Sequence, residues 1–420
     1  MSYNVNATKK TGVAISEAIK TKKLDSIMIN LFLGTKNVDV NSTRSIAAII
    51  YLAVVGPSVF IIQPGFVQGL VDTLGLSPEQ AGYIASAEMW GLAATTIALT
   101  VFAHKYDWQK LSFYFLIVAV AGNLASIGQT DLVTLGVIRT ITGLGLGGMI
   151  SLPFAMMGLT RNPDRNFGFL VVWVLIYGAL GLFLIPATLE ATGMTGIYLF
   201  LAAFCGGGLL LLRFLPKRAT DHLEEHQMSD HLPGWVKGST LLGILVFNIA
   251  IGMVWAYLFL VGVQGGMGEQ SVANVLTISQ FLGVAGALLA AMMAAKYGRS
   301  LPLGIAIIGC SAGVGWLLND ITYMVYATAV YLFNFMWNVA QPYLLAVMAS
   351  FADGGKMIVR GVCLQMVGFA VGPSIGANLL GIEGQETYTT VNLTGAILFF
   401  ASWLLILPVF LAKKEAVVAQ

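Results

Sequence analysis

Charge is what this sequence has least of. Asp, Glu, Lys and Arg make up 10% of its 420 residues, against about 25% in an ordinary soluble domain. Hydrophobic residues reach 57% and the mean hydropathy is +0.82. So little charge cannot solvate the surface of a soluble protein of this size, and the composition is that of a multi-pass membrane protein. The net charge of +2 provides no basic field, so a nucleic-acid partner is not expected. Cysteine is scarce too. Cys205, Cys310 and Cys363 sit in apolar runs, which fits small core residues and leaves no disulfide framework. The four histidines, His104, His222, His226 and His231, fall in loops, so no metal or cofactor is expected. No G-x-x-x-x-G-K-[ST] loop is present to cradle phosphates, and no cluster of His or acids near one interface suggests an enzyme. The polar opening MSYNVNATKK does not read as a secretory signal.

What the sequence has is apolar runs long enough to cross a bilayer. They fall near 45–71, 80–103, 111–128, 132–158, 168–189, 195–214, 239–263, 272–294, 302–318, 321–349, 358–381 and 388–411. The expected fold is all-α and integral to the membrane, with twelve transmembrane helices in two six-helix, pseudo-symmetric bundles. The expected division is a cytoplasmic N-terminal segment 1–43, a bundle 44–214, a cytoplasmic loop 215–238, a bundle 239–412 and a cytoplasmic tail 413–420. Residues 1–43 are weakly amphipathic, and lying along the membrane surface or forming a loose tail are equally open.

Charge placement orients the chain. Of the 22 Lys and Arg, all except Arg139 fall in the N-terminal segment, the even-numbered gaps or the tail. The opposite side carries only acids, among them Asp72, Glu79, Asp131, Glu190 and Glu269. The positive-inside rule then places both termini in the cytoplasm. The expected setting is a bacterial inner membrane, and the expected state is a monomer in the lipid bilayer. The halves also echo each other: AHKYD at 103–107 matches AAKYG at 294–298, and SLPFAMM at 151–157 matches AQPYLLA at 340–346.

Arg139 stands alone within an apolar run, followed by Gly143, Gly145, Gly147 and Gly148. A cation at membrane depth costs at least about 2.5 kcal/mol, so it marks a functional site with a partner. Gly143 and Gly147 form a small-xxx-small pair that admits a close neighbour. Glu88 is the one carboxylate deep in a span. It lies about 12 Å from the outer end of its helix and Arg139 about 11 Å from the outer end of its own, at 1.5 Å per residue. An ion pair is expected. Three roles stay open: a coupling pair in which Glu88 takes up a transported proton when the pair parts, a permanent structural pair, or Arg139 as a ligand for an anion. A low dielectric favours the neutral acid, whereas a guanidinium favours the carboxylate.

Six plus six spans with parallel repeats, together with the arginine and glycines on span four, resemble the major facilitator superfamily over about 45–412. The loop motif of that family is matched in part by His104, Lys105, Tyr106, Asp107 and Lys110, with His104 where the family has an acid. The resemblance implies alternating access and a cavity lined by spans one, four, seven and ten. It also implies that the glycine face of span eleven (Gly368, Gly372, Gly376) packs between the halves.

On those spans the polar and aromatic residues are candidates for substrate. Asn334, Asn338 and Gln341 recur at i, i+4 and i+7, with Trp337 beside them. Span one offers Gln63 and Gln68, with breaks expected at Gly56-Pro57 and Pro64-Gly65. Span seven offers Asn248, Trp255 and Tyr257. Gln280, Gln365, Trp173 and Tyr177 are weaker candidates. Amides to orient and aromatics to stack suit a small, partly apolar solute, while interhelical hydrogen bonding is the alternative for each amide. The expected function is secondary transport, with protons and a small organic acid, aromatic in one version, taken up together. Proton-driven efflux of drug-like compounds or metabolites is the other reading.

Overall fold

A computed structural model describes residues 32–33, 38–217, 233–293, 299–349, 351, 356–383 and 388–418. The segment before residue 32, the loop histidines His222, His226 and His231, the repeat residues Ala295, Lys296, Tyr297 and Gly298, and the last two residues of the tail lie outside the described residues. Among the described residues thirteen α-helices run in order: α1 (Thr43–Val55), α2 (Ser58–Ile61), α3 (Gln63–Leu74), α4 (Pro78–Phe102), α5 (Trp108–Ala125), α6 (Leu132–Gly158) and α7 (Pro163–Leu209). They continue as α8 (Gly234–Gln264), α9 (Glu269–Met293), α10 (Ser300–Trp316), α11 (Tyr323–Ala349), α12 (Lys356–Glu383) and α13 (Thr389–Val418). By length and composition seven can cross a membrane: α4, α6, α7, α8, α9, α12 and α13. Apolar side chains such as Val133, Leu180, Phe281 and Met292 point outward, as a lipid-facing surface requires.

Local chemistry sets the helix ends. Ser77 accepts from the N–H of Gln80 while the Gln80 side chain accepts from the N–H of Ser77, a capping box that starts α4. Asp107 caps α5 and Asp131 caps α6 in the simpler one-sided way. The first expected break falls where Gly56 and Pro57 stand, between α1 and α2. The second lies at Ile62 rather than at Pro64-Gly65. Proline is tolerated in a first helical turn because its missing N–H would be unsatisfied there anyway, so the chain breaks just before it. The 47 residues of α7 exceed any single crossing, and the helix is broken at Gly193, with φ 61° and ψ −155°. That backbone region is open essentially to glycine alone.

Packing brings sequence-distant helices together. α4 lies against both α6 and α12, α9 against α7 and α11, α8 against α12 and α13, and α3 against α8. On the α4–α12 contact the Ser86 hydroxyl donates to the Ala370 carbonyl at 2.6 Å, and Tyr83 donates to Asn378 at 2.8 Å. On the α7–α9 contact Thr277 donates to the Ala179 carbonyl at 3.2 Å. The glycine face of α12 departs from expectation. Gly368, Gly372 and Gly376 seat against Asn248, Met253 and Tyr257 of α8, so their missing side chains admit α8 and not a helix from residues 44–214.

Candidate functional site

Among the described residues, two of the buried polar regions hold sequence candidates in contact with one another. The first is where α4 and α6 cross. A Cβ at Gly91 would strike the carbonyl of Thr140, one at Gly143 the carbonyl of Glu88, and one at Gly147 the carbonyl of Leu92. Glycine on both sides lets the backbones touch. Arg139, one turn before Gly143, is thereby delivered to Glu88, and both are fully buried.

The pairing is bidentate. Nη2 of Arg139 donates to one Glu88 oxygen, and Nε donates to the other at 3.1 Å. Nη1 donates to Asn123 Oδ1 of α5 at 2.8 Å and to Oγ of Ser126, the residue that caps the end of α5, at 3.4 Å. Asn123 is held in place by donating its own N–H to the Ala119 carbonyl. The guanidinium carbon lies 5.3 Å from the Phe66 ring of α3 and 5.5 Å from the Tyr198 ring of α7. All three guanidinium nitrogens are engaged and aromatic rings cover the group. A buried charge costs several kcal/mol unless it is paired and its remaining hydrogen bonds are satisfied, and this pair meets both conditions. An anionic ligand would have to displace Glu88 to reach Arg139.

The second region surrounds α11. Its amides divide. Asn334 donates to Ser279 of α9 at 2.8 Å and accepts from Asn338 at 2.7 Å, and both amides lie against Gly283. These two bind α11 to α9. Gln341, one turn on, accepts from Gln365 of α12 at 3.4 Å, leaving its own Nε2 without a partner. Trp337 Nε1 also lacks one. The Trp337 ring packs with Phe60 at 6.2 Å, Trp255 at 5.7 Å and Phe333 at 5.9 Å. Phe60 stacks on Phe369 at 4.4 Å.

The other sequence candidates are dispersed. Trp255 joins the aromatic group and donates Nε1 to the Phe60 carbonyl at 2.8 Å, a carbonyl that lies at the α2–α3 break. Tyr257 packs over Gly82 and donates to the Pro373 carbonyl at 3.1 Å, away from α11. Asn248 is buried against Gly368 with its Oδ1 unpartnered. Gln63 is fully buried, and neither end of its amide has a partner. Gln68 donates to Asp72. Sequence reading did not single out Asn123, Ser126, Phe66, Tyr198 or Phe60. An amide and a hydroxyl three residues apart, Asn123 in the apolar α5 and Ser126 at its C-cap, are a usable signal; nothing distinguishes the rings from other core aromatics.

No curated protein matches the chain by sequence. Among solved structures, the nucleoside transporter NupG superposes in two forms with TM-scores of 0.69 and 0.67, at 11% and 12% identity, covering 87% of this chain and 98% of that one. The human organic anion transporter MFSD10 (TETRAN) superposes with a TM-score of 0.61 at 14% identity, covering 86% and 99%. At these identities the likeness is one of fold. The sequence model of the Major Facilitator Superfamily matches residues 48–377. With that match running over well more than half of its length, the chain belongs to the Major Facilitator Superfamily and is a transporter, not an enzyme.

Proposed function

We propose that the protein is a secondary active transporter working by alternating access, taking up a small organic acid, aromatic in its simplest form, together with protons. In this reading α1–α3 form one broken crossing and α7 forms two, divided at Gly193, so the helices make twelve crossings. Six lie within 44–214 and six within 239–412, joined by the loop 215–238. The segment 1–43 and the tail 413–420 lie in the cytoplasm of a bacterial cell, and the monomer is the working unit. The contacts that must rearrange are α4 on α12, α7 on α9, and α3 on α8.

The observation that carries the coupling is the place of α3. It presents Phe66 to the Arg139 guanidinium and packs on α8. When the halves rock, α3 is pulled by one and leans on the charge pair of the other. Sliding Phe66 off the guanidinium opens the pair, and Glu88 then takes a proton from the accessible side. The uncharged rings packed on Trp337, those of Phe60, Trp255 and Phe333, fit a cargo whose charge is balanced by the proton that travels with it. One structural neighbour is named for organic anions, in keeping with the acid. Another is named for nucleosides, and a neutral ring as cargo is the second reading, favoured by the full engagement of Arg139. The test is Glu88→Gln in proteoliposomes. We expect loss of uptake driven by an imposed pH gradient, with solute exchange at equal pH retained. Driven uptake at the wild-type rate would remove Glu88 from coupling.

A further inference from the structure

Trp337 and Gln341 are four residues apart on α11, hence on one helix face. Both are half-buried, and each carries an N–H that is buried and has no acceptor. Buried polar groups in folded proteins are nearly always paired, and among the unpartnered ones here, Gln63 and Asn248 included, these two stand out as donors on one helix face beside aromatic rings. The two groups are also alike. Indole Nε1 can only donate. The Gln341 amide has its oxygen turned to the N–H of Gln365, from which it accepts at 3.4 Å, so the end left without a partner is the donor Nε2. Their neighbours on α11 differ: Asn334 and Asn338 spend their amides on Ser279 and on each other. The face carrying Trp337 meets Phe60 of α2 and Trp255 of α8, so an aromatic surface adjoins the two donors.

We infer that Trp337 Nε1–H and Gln341 Nε2–H form a two-donor clamp for an acceptor oxygen on a small planar solute, with Gln365 as the positioning residue that fixes which end of the Gln341 amide is offered. This rests on the transport reading and adds to it the recognising groups and their polarity. A carboxylate oxygen and a ring carbonyl share the required chemistry, while a solute whose only polar group is a cationic donor lacks it. No charged group of the chain is needed at the clamp, because hydrogen bonds to two neutral donors suffice to orient an acceptor. Aromatic contact with Trp337 and Phe60 holds the ring.

The experiment is binding by the purified full-length protein in detergent, with benzoate, benzamide and benzylamine as probes, read by thermal shift and calorimetry. We expect an acceptor probe to bind at millimolar concentration and benzylamine not to bind. Benzoate alone points to a carboxylate cargo, and equal binding of benzoate and benzamide points to a carbonyl. Trp337→Phe keeps an aromatic ring, smaller than the indole, and removes the donor; Gln341→Leu removes the amide. Each should weaken the acceptor probe about tenfold, the effect of one lost hydrogen bond, with the melting temperature of the unliganded protein near wild type. Gln365→Glu places an acceptor where a donor stood. It draws the Gln341 N–H to itself, so binding of benzamide, a neutral probe that the added charge does not repel, should fall about tenfold with the melting temperature of the unliganded protein near wild type. Failure of both acceptor probes to bind, equal binding of benzylamine by the wild type, or unchanged affinity in both Trp337→Phe and Gln341→Leu would overturn the clamp. Binding in detergent needs no gradient. A Glu88→Gln protein that binds benzoate normally yet retains full gradient-driven uptake would therefore defeat the coupling reading and leave the clamp standing.

Discussion

The crossing of α4 and α6 and the inner face of α11 both bury polar groups among apolar helices, yet they solve the cost differently. At the crossing the groups are charged and complete: Arg139 has Glu88, Asn123, Ser126 and two rings. On α11 the groups are neutral and incomplete: Trp337 and Gln341 each keep an unused N–H. An isolated charge would be far more expensive to leave unpaired than an amide donor. Among the described residues the buried side-chain groups without a partner are neutral ones, where vacancy is cheap. The contrast teaches where to look for a ligand. A complete cluster has no group left over for a ligand, whereas an incomplete one has donors that a ligand could satisfy.

The largest expected effect comes from breaking the complete cluster on one side only. Arg139→Ala leaves the Glu88 carboxylate buried without its partner and should cost about 3–5 kcal/mol, as removal of one member of a buried pair does. Glu88→Ala strands the guanidinium and should cost as much. Replacing both, with Glu88→Gln and Arg139→Gln together, removes the charges and should recover most of that loss. Melting temperatures of the three proteins and the wild type in one detergent check the order. If either single variant melts with the wild type, the pair does not hold the crossing, and the contrast with α11 collapses.

A smaller effect should separate the close approach from the charges. Gly143→Ala puts a Cβ into the carbonyl of Glu88. Alanine favours a helix by up to about 1 kcal/mol over glycine, whereas forcing atoms into a packed contact costs about 1–3 kcal/mol, so the net change should be destabilising. Gly136→Ala on the same helix is the control. Its Cβ would meet only Ile84 Cδ1 at 3.6 Å, an ordinary contact, and the helix preference should leave it neutral or slightly stabilised. Equal melting of the two variants would mean that α6 can shift away from α4 without loss, and that the glycines do not deliver Arg139.

Much of this was legible in the order of residues, and the limits have physical causes. Arg139 and Glu88 could be matched by depth because helical rise is fixed and no other deep carboxylate competes. Gly143 and Gly147 announced a close neighbour, which is α4. The α11 amides lie on one stripe, as their spacing says, but periodicity reports a face and not what faces it. It could not divide Asn334 and Asn338, turned to Ser279, from Gln341, turned to Gln365. Tyr257 shares its span with the cavity candidates, and Gly82 and Gly376 make room for it between α4 and α12. Small residues on two other helices decided its place, and no reading of span seven alone contains them. Asn123 was hidden differently: one amide in an apolar helix says that a partner exists and nothing about which.

The smallest effect concerns an acid of a third kind, neither sealed nor vacant. Asp131 caps α6 from outside the span, accepting from the N–H of Thr134 at 2.8 Å. That bond favours the carboxylate and holds its pKa below the ordinary value of an aspartate, with the contact to the Thr134 side chain adding to it. Because the folded-state pKa is the lower one, the contribution to stability is fully present above the unfolded value. It is lost as pH falls through the ordinary aspartate range to the depressed value. Asp131→Asn keeps an acceptor for the same N–H, since asparagine caps helices about as well as aspartate, but it cannot titrate there. Near neutral pH the variant should melt slightly below the wild type, by the loss of a negative charge at the helix N-terminus. On acidification its melting temperature should fall less steeply, so that the two curves converge. Parallel curves would assign the acid sensitivity to other carboxylates and leave the Asp131 cap without a titrating role.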